Sequence, residues 1–372
     1  MLTIFLLLTL LAPPEAPPPP ETTTAWPIFR GGHALCGVAR GALPDQPQVL
    51  WTFDTGAPIK SSAVVEGDRV FFGCDNGNVY ALNRTTGEKL WQFATGAAVE
   101  APPLVFNGMV YIGSSDFDFH ALDAATGEPA WQYKCGERLL GGANWIEREG
   151  HTLIIVGCYD GRLYCFDAAT GALVWHYDTD NYINGTPAVS DKYIVFGGCD
   201  SFLHVLHAVD GRPFKRIDAG SYIAGSVALD GDKVYFGHMD NQLLCVDLTQ
   251  GQVAWTYEDK PFPYYASPAV ADDRVVFAGR DRRVHCVDRA DGKPQWTFAT
   301  RGRIDSSPVI CDGKVVVGSS DGRVYMLQLD TGGEIWSFDT AGDITATCAV
   351  AGGMIFAGNE SGVMYALGVP GG

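Results

Sequence analysis

The sequence predicts an all-β protein, an eight-bladed β-propeller of four-stranded antiparallel blades closed by its N-terminal strand. Three observations carry that expectation. Tryptophans fall at 51, 91, 131, 175, 255, 296 and 336, a period of 40 to 44 residues, and the gap in the series holds Lys215 in an otherwise matching segment. Each unit contains four short pieces of alternating, β-branched sequence, the pattern of half-buried strands. Between the third and fourth pieces stands an Asp with a turn former, as in Asp160-Gly161 and Asp321-Gly322, a strong hairpin signal. Four antiparallel strands repeated at this period make a propeller blade.

The elements follow in chain order. Leu2 to Ala12 is apolar and runs into the Pro-rich stretch Pro13 to Pro20, so residues 1–25 read as a signal-peptide core and spacer. An exported protein, periplasmic or otherwise extracytoplasmic, is the expectation. No apolar run reaches the roughly 18 residues needed to span a bilayer. Residues 26–372 are assigned to the propeller. Trp51-Thr52-Phe53 is a strand with no preceding blade, and the last unit ends at Val363-Met364-Tyr365-Ala366-Leu367 with no following Trp strand. The first strand is therefore expected to complete the last blade, leaving no free sheet edge. In the unit that starts at Trp296, the remaining pieces are Ser306-Ser307-Pro308-Val309-Ile310, Val315 to Gly318, and Val324 to Leu327.

Composition excludes some functions. The 372 residues carry 43 Asp and Glu against 26 Lys and Arg, a formal charge of −17. Such a surface repels phosphate backbones, which argues against nucleic-acid partners. The ten cysteines show no Cys-x-x-Cys and no adjacent pair. Cys165, Cys245 and Cys286 share a repeat position with Ala81, Ala121 and Ala366, as small core residues do. Cys74, Cys158 and Cys199 stand near tight turns and are the ones to test for redox or metal chemistry.

The segments Ala81 to Trp91 and Ala121 to Trp131, with Thr-Gly-Glu at 86–88 and 126–128, resemble the tryptophan-docking motif of pyrroloquinoline-quinone-like (PQQ-like) propellers. Trp26-Pro27-Ile28-Phe29-Arg30-Gly31 is similar to that family's lead-in. The resemblance covers roughly 26 to 367 and implies a ring whose outer-strand Trp packs over a small residue of the neighbouring strand. Members include quinone-dependent dehydrogenases and the non-catalytic propeller of the outer-membrane β-barrel assembly machinery. The dehydrogenases typically carry an adjacent cysteine pair, which this sequence lacks.

Positions alike in every unit are explained by blade construction. This covers the tryptophans and the turn set Asp75, Asp116, Asp160, Asp200, Asp240, Asp281 and Asp321. His120, His204 and His285 share a position with Tyr80, Tyr164 and Tyr325 and read as half-buried blade residues, not ligands.

Positions that differ need another account. Just before the inner strand stand Lys60, Glu100, Gly141, Asn184, Ala224, Tyr265, Asp305 and Thr345, with Tyr182, Tyr222, Tyr264 and Arg303 beside them. Inner strands converge on the axis, so these residues should surround one channel mouth, with Arg280 near its rim. The mixture of charge, amide and aromatic ring suits a polar ligand or a peptide loop. The third unit departs most, with Gly141-Gly142-Ala143-Asn144-Trp145 and a longer hairpin from Glu147 to Thr152; Trp145 is read either as a stacking face near the channel or as a gap filler. Residues 274 to 303 concentrate Arg274, Arg280, Arg282, Arg283, Arg289, Lys293, Arg301 and Arg303, a local anion site or a set of surface ion pairs.

The first functional expectation is a non-catalytic binding or scaffold module that works through its channel mouth, without a cofactor and as a monomer. The second is a PQQ-dependent oxidoreductase in which Glu100, Asn144, Asn184 and Asp305 supply oxygen ligands to calcium and Trp145 a stacking face.

Overall fold

The computed structural model describes residues 25–148 and 150–370. The proposed leader lies outside the described residues, apart from Ala25. Eight four-stranded antiparallel sheets form the ring. Seven consist of four consecutive strands, as in blade 1, from 64 to 94, and blade 3, from 143 to 178. The eighth takes three strands from 349 to 368 and its outermost one from the start of the chain. There, Gln48–Asp54 pairs antiparallel with Val363–Gly368, with Trp51 opposite Ala366. The expected closure is observed.

The tryptophan register explains the period. Trp91 stands opposite Ala81, Trp131 opposite Ala121, Trp175 opposite Cys165 and Trp296 opposite Cys286. Six of the repeat indoles, all but Trp336, also press on a glycine of the next blade, where a Cβ would come within 3 Å of the ring, as Trp51 does on Gly87, Trp91 on Gly127 and Trp255 on Gly292. Several indole N–H groups donate to a carbonyl of that blade, as Trp91 Nε1 does to Ala124 at 3.1 Å. One residue therefore fills the gap between two sheets and satisfies a buried carbonyl.

Two sequence expectations shift by a few residues. The inner strand of blade 7 is only Val309–Cys311, so Ser306, Ser307 and Pro308 are not strand. The hydroxyls in that segment form a belt around the channel. Backbone N–H groups donate to the hydroxyl of the next blade from Gly142 to Thr186, Thr186 to Ser226, Ser226 to Ser267, Ser267 to Ser307, Ser307 to Thr347 and Thr347 to Ser62, at 2.8 to 3.2 Å. Pro102 interrupts the belt, because it has neither the hydroxyl to accept nor the N–H to donate. In the turn set, Asp75 is displaced: Asn76 holds its place, accepting from the Asn78 N–H as Asp160 does from Arg162. The next residue at each hairpin tip adopts φ between 62° and 91°, a left-handed conformation met by glycine at 77, 161, 322 and 362.

The N-terminal segment is built into the ring. Residues 26 to 39 run past the far ends of the inner strands and bond to one blade after another. Trp26 bridges to Val65, Pro27 accepts from Val105, His33 from Val189, Ala34 from Leu229, Cys36 from Val270 and Gly37 from Ile310. Arg30 is 1% exposed, and its guanidinium donates to the Pro308 and Pro268 carbonyls at 2.6 and 2.8 Å. Burial lowers its pKa to about 9. Gly37 lies against that guanidinium, where any Cβ would collide.

Candidate functional site

Because the segment 26–39 crosses one end of the channel, the opening at the other end is a blind cup of about 200 Å³. Phe29 reaches its lining from the segment. The hydroxyl belt forms its lower wall, and Lys60, Glu100, Asn184, Tyr265 and Asp305 form the upper one. These five mouth residues come from five different blade entries and meet as the convergence of inner strands requires.

The upper wall holds two arrays. One is a chain of contacts: Tyr159 OH donates to Asn184 Oδ1 at 2.8 Å, and Asn184 Nδ2 donates to the Ala224 carbonyl at 2.7 Å and to Tyr265 OH at 3.2 Å. The Arg280 guanidinium stands 4.7 Å from the Tyr265 ring centre and donates from Nε to Asp305 at 2.7 Å; Arg303 adds a 3.3 Å pair to the same carboxylate. Hydrogen bonding to Asp305 raises the Arg280 pKa. Behind them, Tyr182 stacks on Tyr159 with ring centres 5.0 Å apart, and Arg138 lies over the Tyr159 ring at 4.5 Å. Burial, foremost, pushes the Tyr159 hydroxyl up to about 12, so it stays a proton donor. The second array is ionic. Lys60 pairs with Asp75 at 2.6 Å and with Glu100 at 3.6 Å, and its bond to Asp75 raises its pKa.

The described structure brings together Lys60, Glu100, Asn184, Tyr265, Arg280, Arg303 and Asp305. Tyr182 and Tyr222 stand at the same end and remain half exposed, at 50% and 51%. Their carbonyls accept from Cys199 and Met239, equivalent loop contacts in consecutive blades. Asn144 and Trp145 are not at the mouth, which corrects their placement. The inner strand of blade 3, Ala143–Arg148, carries them toward the far end. There Asn144, fully buried, donates to the His33 and Pro187 carbonyls, and Trp145 packs on His33 and Phe106 with ring centres 3.5 and 4.5 Å away. They hold the plug. Gly141 also shifts: the mouth position in blade 3 belongs to Leu140, since Leu139 occupies the buried site held elsewhere by Ile183 and Ile304.

Sequence reasoning read Asp75 only as a turn residue and missed Tyr159 and Arg138; Asp75 and Tyr159 stand in hairpin turns and Arg138 precedes the aligned position. It also missed Phe29. Its signal was present in the lead-in, but only as a family likeness.

Elsewhere, many cations of 274–303 are paired: Arg274 with Asp273 at 2.5 Å, Arg283 with Asp259 at 3.7 Å, Lys293 with Asp291 at 2.6 Å, and Arg289 with Asp230. Among the described residues two acid–imidazole groups have ligand spacing, Asp116-Asp118-His120 and Asp259-Asp281-His285. In the second, His285 already engages Asp281 and Tyr257 through its two ring nitrogens.

The family of outer membrane protein assembly factor BamB matches residues 40–257 and 259–372. The chain belongs to that family of PQQ-like propellers. The crystal structure of BamB from Moraxella catarrhalis superposes with a TM-score of 0.72 at 19% identity, covering 87% of this chain and 100% of that one. Quinohemoprotein alcohol dehydrogenase from Comamonas testosteroni gives 0.80 at 13% identity, covering 95% and 81%. A europium-containing methanol dehydrogenase gives 0.78 at 12%, covering 94% and 99%. At these identities the likeness is one of fold. No curated protein matches the sequence. Among the described residues no helix is long and apolar enough to cross a membrane.

Proposed function

We propose that this chain is an exported, non-catalytic propeller whose channel-mouth cup receives a protruding loop of a protein partner. The observation that carries this reading is the contact chain from Tyr159 through Asn184, Tyr265 and Arg280 to Asp305. It spans blades 3 to 7 and fixes polar and aromatic groups before any ligand arrives. Volume supports a side chain over a cofactor: about 200 Å³ is below the roughly 300–1,000 Å³ of small-molecule sites. The half-exposed Tyr182 and Tyr222 at the same end are of the residue type that anchors interfaces. The family's description, an assembly factor of the outer membrane, supports export and a protein partner.

The quinone-dependent reading is not favoured by any contact at the cup. Its four oxygen ligands do not converge, because Asn144 is spent on the His33 and Pro187 carbonyls at the far end. Trp145 is committed there as well.

The test is site-specific photocrosslinking in cells with a probe at Tyr222, and in parallel at Val174 on an outer strand. A discrete protein adduct from 222 alone is expected. It should be lost when Tyr182, Asn184 and Arg303 are changed together to alanine, each removal weakening binding by about 1–3 kcal/mol. Equal adducts from both probes, or an adduct indifferent to the triple change, would remove the mouth as the working surface. Saturable binding of pyrroloquinoline quinone with calcium, seen as a thermal shift, would favour the enzyme instead.

A further inference from the structure

Two cysteines meet where blade 2 hands over to blade 3. Cys135 follows the strand Pro129–Lys134, with its N–H bonded to the Phe117 carbonyl, and Cys158 follows the strand His151–Gly157. The preceding handover shows what this juxtaposition does. Thr95 follows the strand Lys89–Ala94, Ser114 follows Met109–Gly113, and the Ser114 hydroxyl donates to Thr95 Oγ1 at 3.2 Å. Backbone surroundings match too. Ser114 Oγ faces the Ala97 and Ala98 carbonyls at 3.3 and 3.5 Å, and Cys158 Sγ faces those of Glu137 and Arg138 at 3.2 and 3.7 Å. The repeat thus places Cys135 and Cys158 where the previous blade holds two side chains in contact.

Both lie in one buried cluster, at 6% and 0% exposure. The Cys135 thiol registers its neighbour, since interaction with Cys158, followed by burial, drives its pKa far above the ordinary range. Cys74 occupies the position of Cys158 two blades earlier, but the residue at the Cys135 position there is Thr55, so no second thiol faces it.

We propose that Cys135 and Cys158 form an intramolecular disulfide that ties blade 2 to blade 3 beside the cup. The oxidant is a low-molecular-weight disulfide such as oxidised glutathione. The thiolate of one cysteine attacks it and releases one thiol. The other cysteine then attacks the mixed disulfide and releases the second. One S–S bond breaks in the reagent and one forms in the protein; the two cysteine protons leave with the released thiols. Burial restricts this exchange to folding or to local opening. The bond would stiffen the cup wall, because Cys158 touches the Arg138 backbone and precedes Tyr159, whose ring carries the Arg138 guanidinium.

The full chain is refolded with oxidised and reduced glutathione, its free thiols are alkylated, and its peptides are analysed by mass spectrometry. A single linked pair joining the Cys135 and Cys158 peptides, two hydrogen masses lighter than the separate thiols, is expected. Tm should stand about 4 °C above that of the reduced protein, as a closed loop of this size implies. The gain should vanish in the double variant Cys135→Thr, Cys158→Ser, which installs the Thr95–Ser114 pair of the preceding handover. Both cysteines alkylated after oxidation, either one linked to a different cysteine, or a Tm gain that persists in the double variant would overturn the proposal. The peptide readout on the unaltered chain decides even where the double variant folds poorly.

Discussion

At position 215 the repeat replaces its tryptophan and keeps its contacts. Lys215 stands opposite Val205, its stem passes over Gly251, and its ammonium donates to the Leu248 and Thr249 carbonyls at 2.7 and 2.9 Å. This is the carbonyl bond that the indoles make elsewhere, made with less apolar area. Trp91→Ala should therefore cost about 3–5 kcal/mol as a large buried truncation. Lys215→Ala should cost only about 1–2 kcal/mol for partly exposed hydrogen bonds, and Lys215→Trp should be tolerated over Gly251. Urea denaturation measures all three; equal losses for the two alanine variants would contradict this division of labour. The histidines offer a second comparison. His204 and His285 each join an Asp to a Tyr hydroxyl, Tyr177 or Tyr257, whereas His120 faces Phe93 and makes no hydrogen bond through either nitrogen. Burial, opposed by the nearby carboxylates, lowers the pKa of His120 and His204 below 6.5. With the folded value depressed, their contribution is complete above pH 6.5 and lost as pH falls below it, because the unfolded chain binds the proton first. Tm should fall between pH 7 and pH 5, and His120→Phe should flatten that slope. An unchanged slope would show that His120 does not titrate in this window.

Among the elements, the N-terminal segment and the closing strand do different work. The strand Gln48–Asp54 removes a sheet edge, whereas residues 26–39 bond blades together around the channel and set the depth of the cup. Three truncations separate these roles. Loss of residues 1–24 should leave Tm unchanged. Loss of 1–43 should lower Tm but keep a soluble ring, since the closing strand is retained. Loss of 1–54 should bare the edge of the last blade and cause aggregation on size-exclusion chromatography. If the longest truncation is as soluble as the middle one, closure by the first strand does not protect the edge.

Across the whole molecule, one ring gives two unlike ends. One is sealed by the segment that Arg30, Asn144 and Trp145 hold. The other presents fixed side chains gathered from residues as distant as 60 and 305. Because blade packing rests on the tryptophan and glycine contacts away from the mouth, the triple change at Tyr182, Asn184 and Arg303 should lower Tm little while abolishing the crosslink from position 222. A large loss of stability would mean that the mouth network is part of the ring's own fastening.

The sequence by itself determined the ring, its eight blades and its closure, because these follow from patterns local to each unit: alternation, hairpin turns, and a tryptophan opposite a small residue. It also pointed to the mouth through Lys60, Glu100, Asn184, Tyr265 and Asp305, since these five occupy equivalent places before an inner strand. Tertiary structure alone decided which of them meet. Gly141 gave way to Leu140, and Asn144 and Trp145 went to the opposite end, because an inner strand crosses the ring and a shift of a few residues moves a side chain from one face to the other. The path of residues 26–39 was beyond sequence reasoning for a different reason. It is fixed by backbone bonds to successive blades, and those bonds leave no periodic mark on the side chains that make the segment.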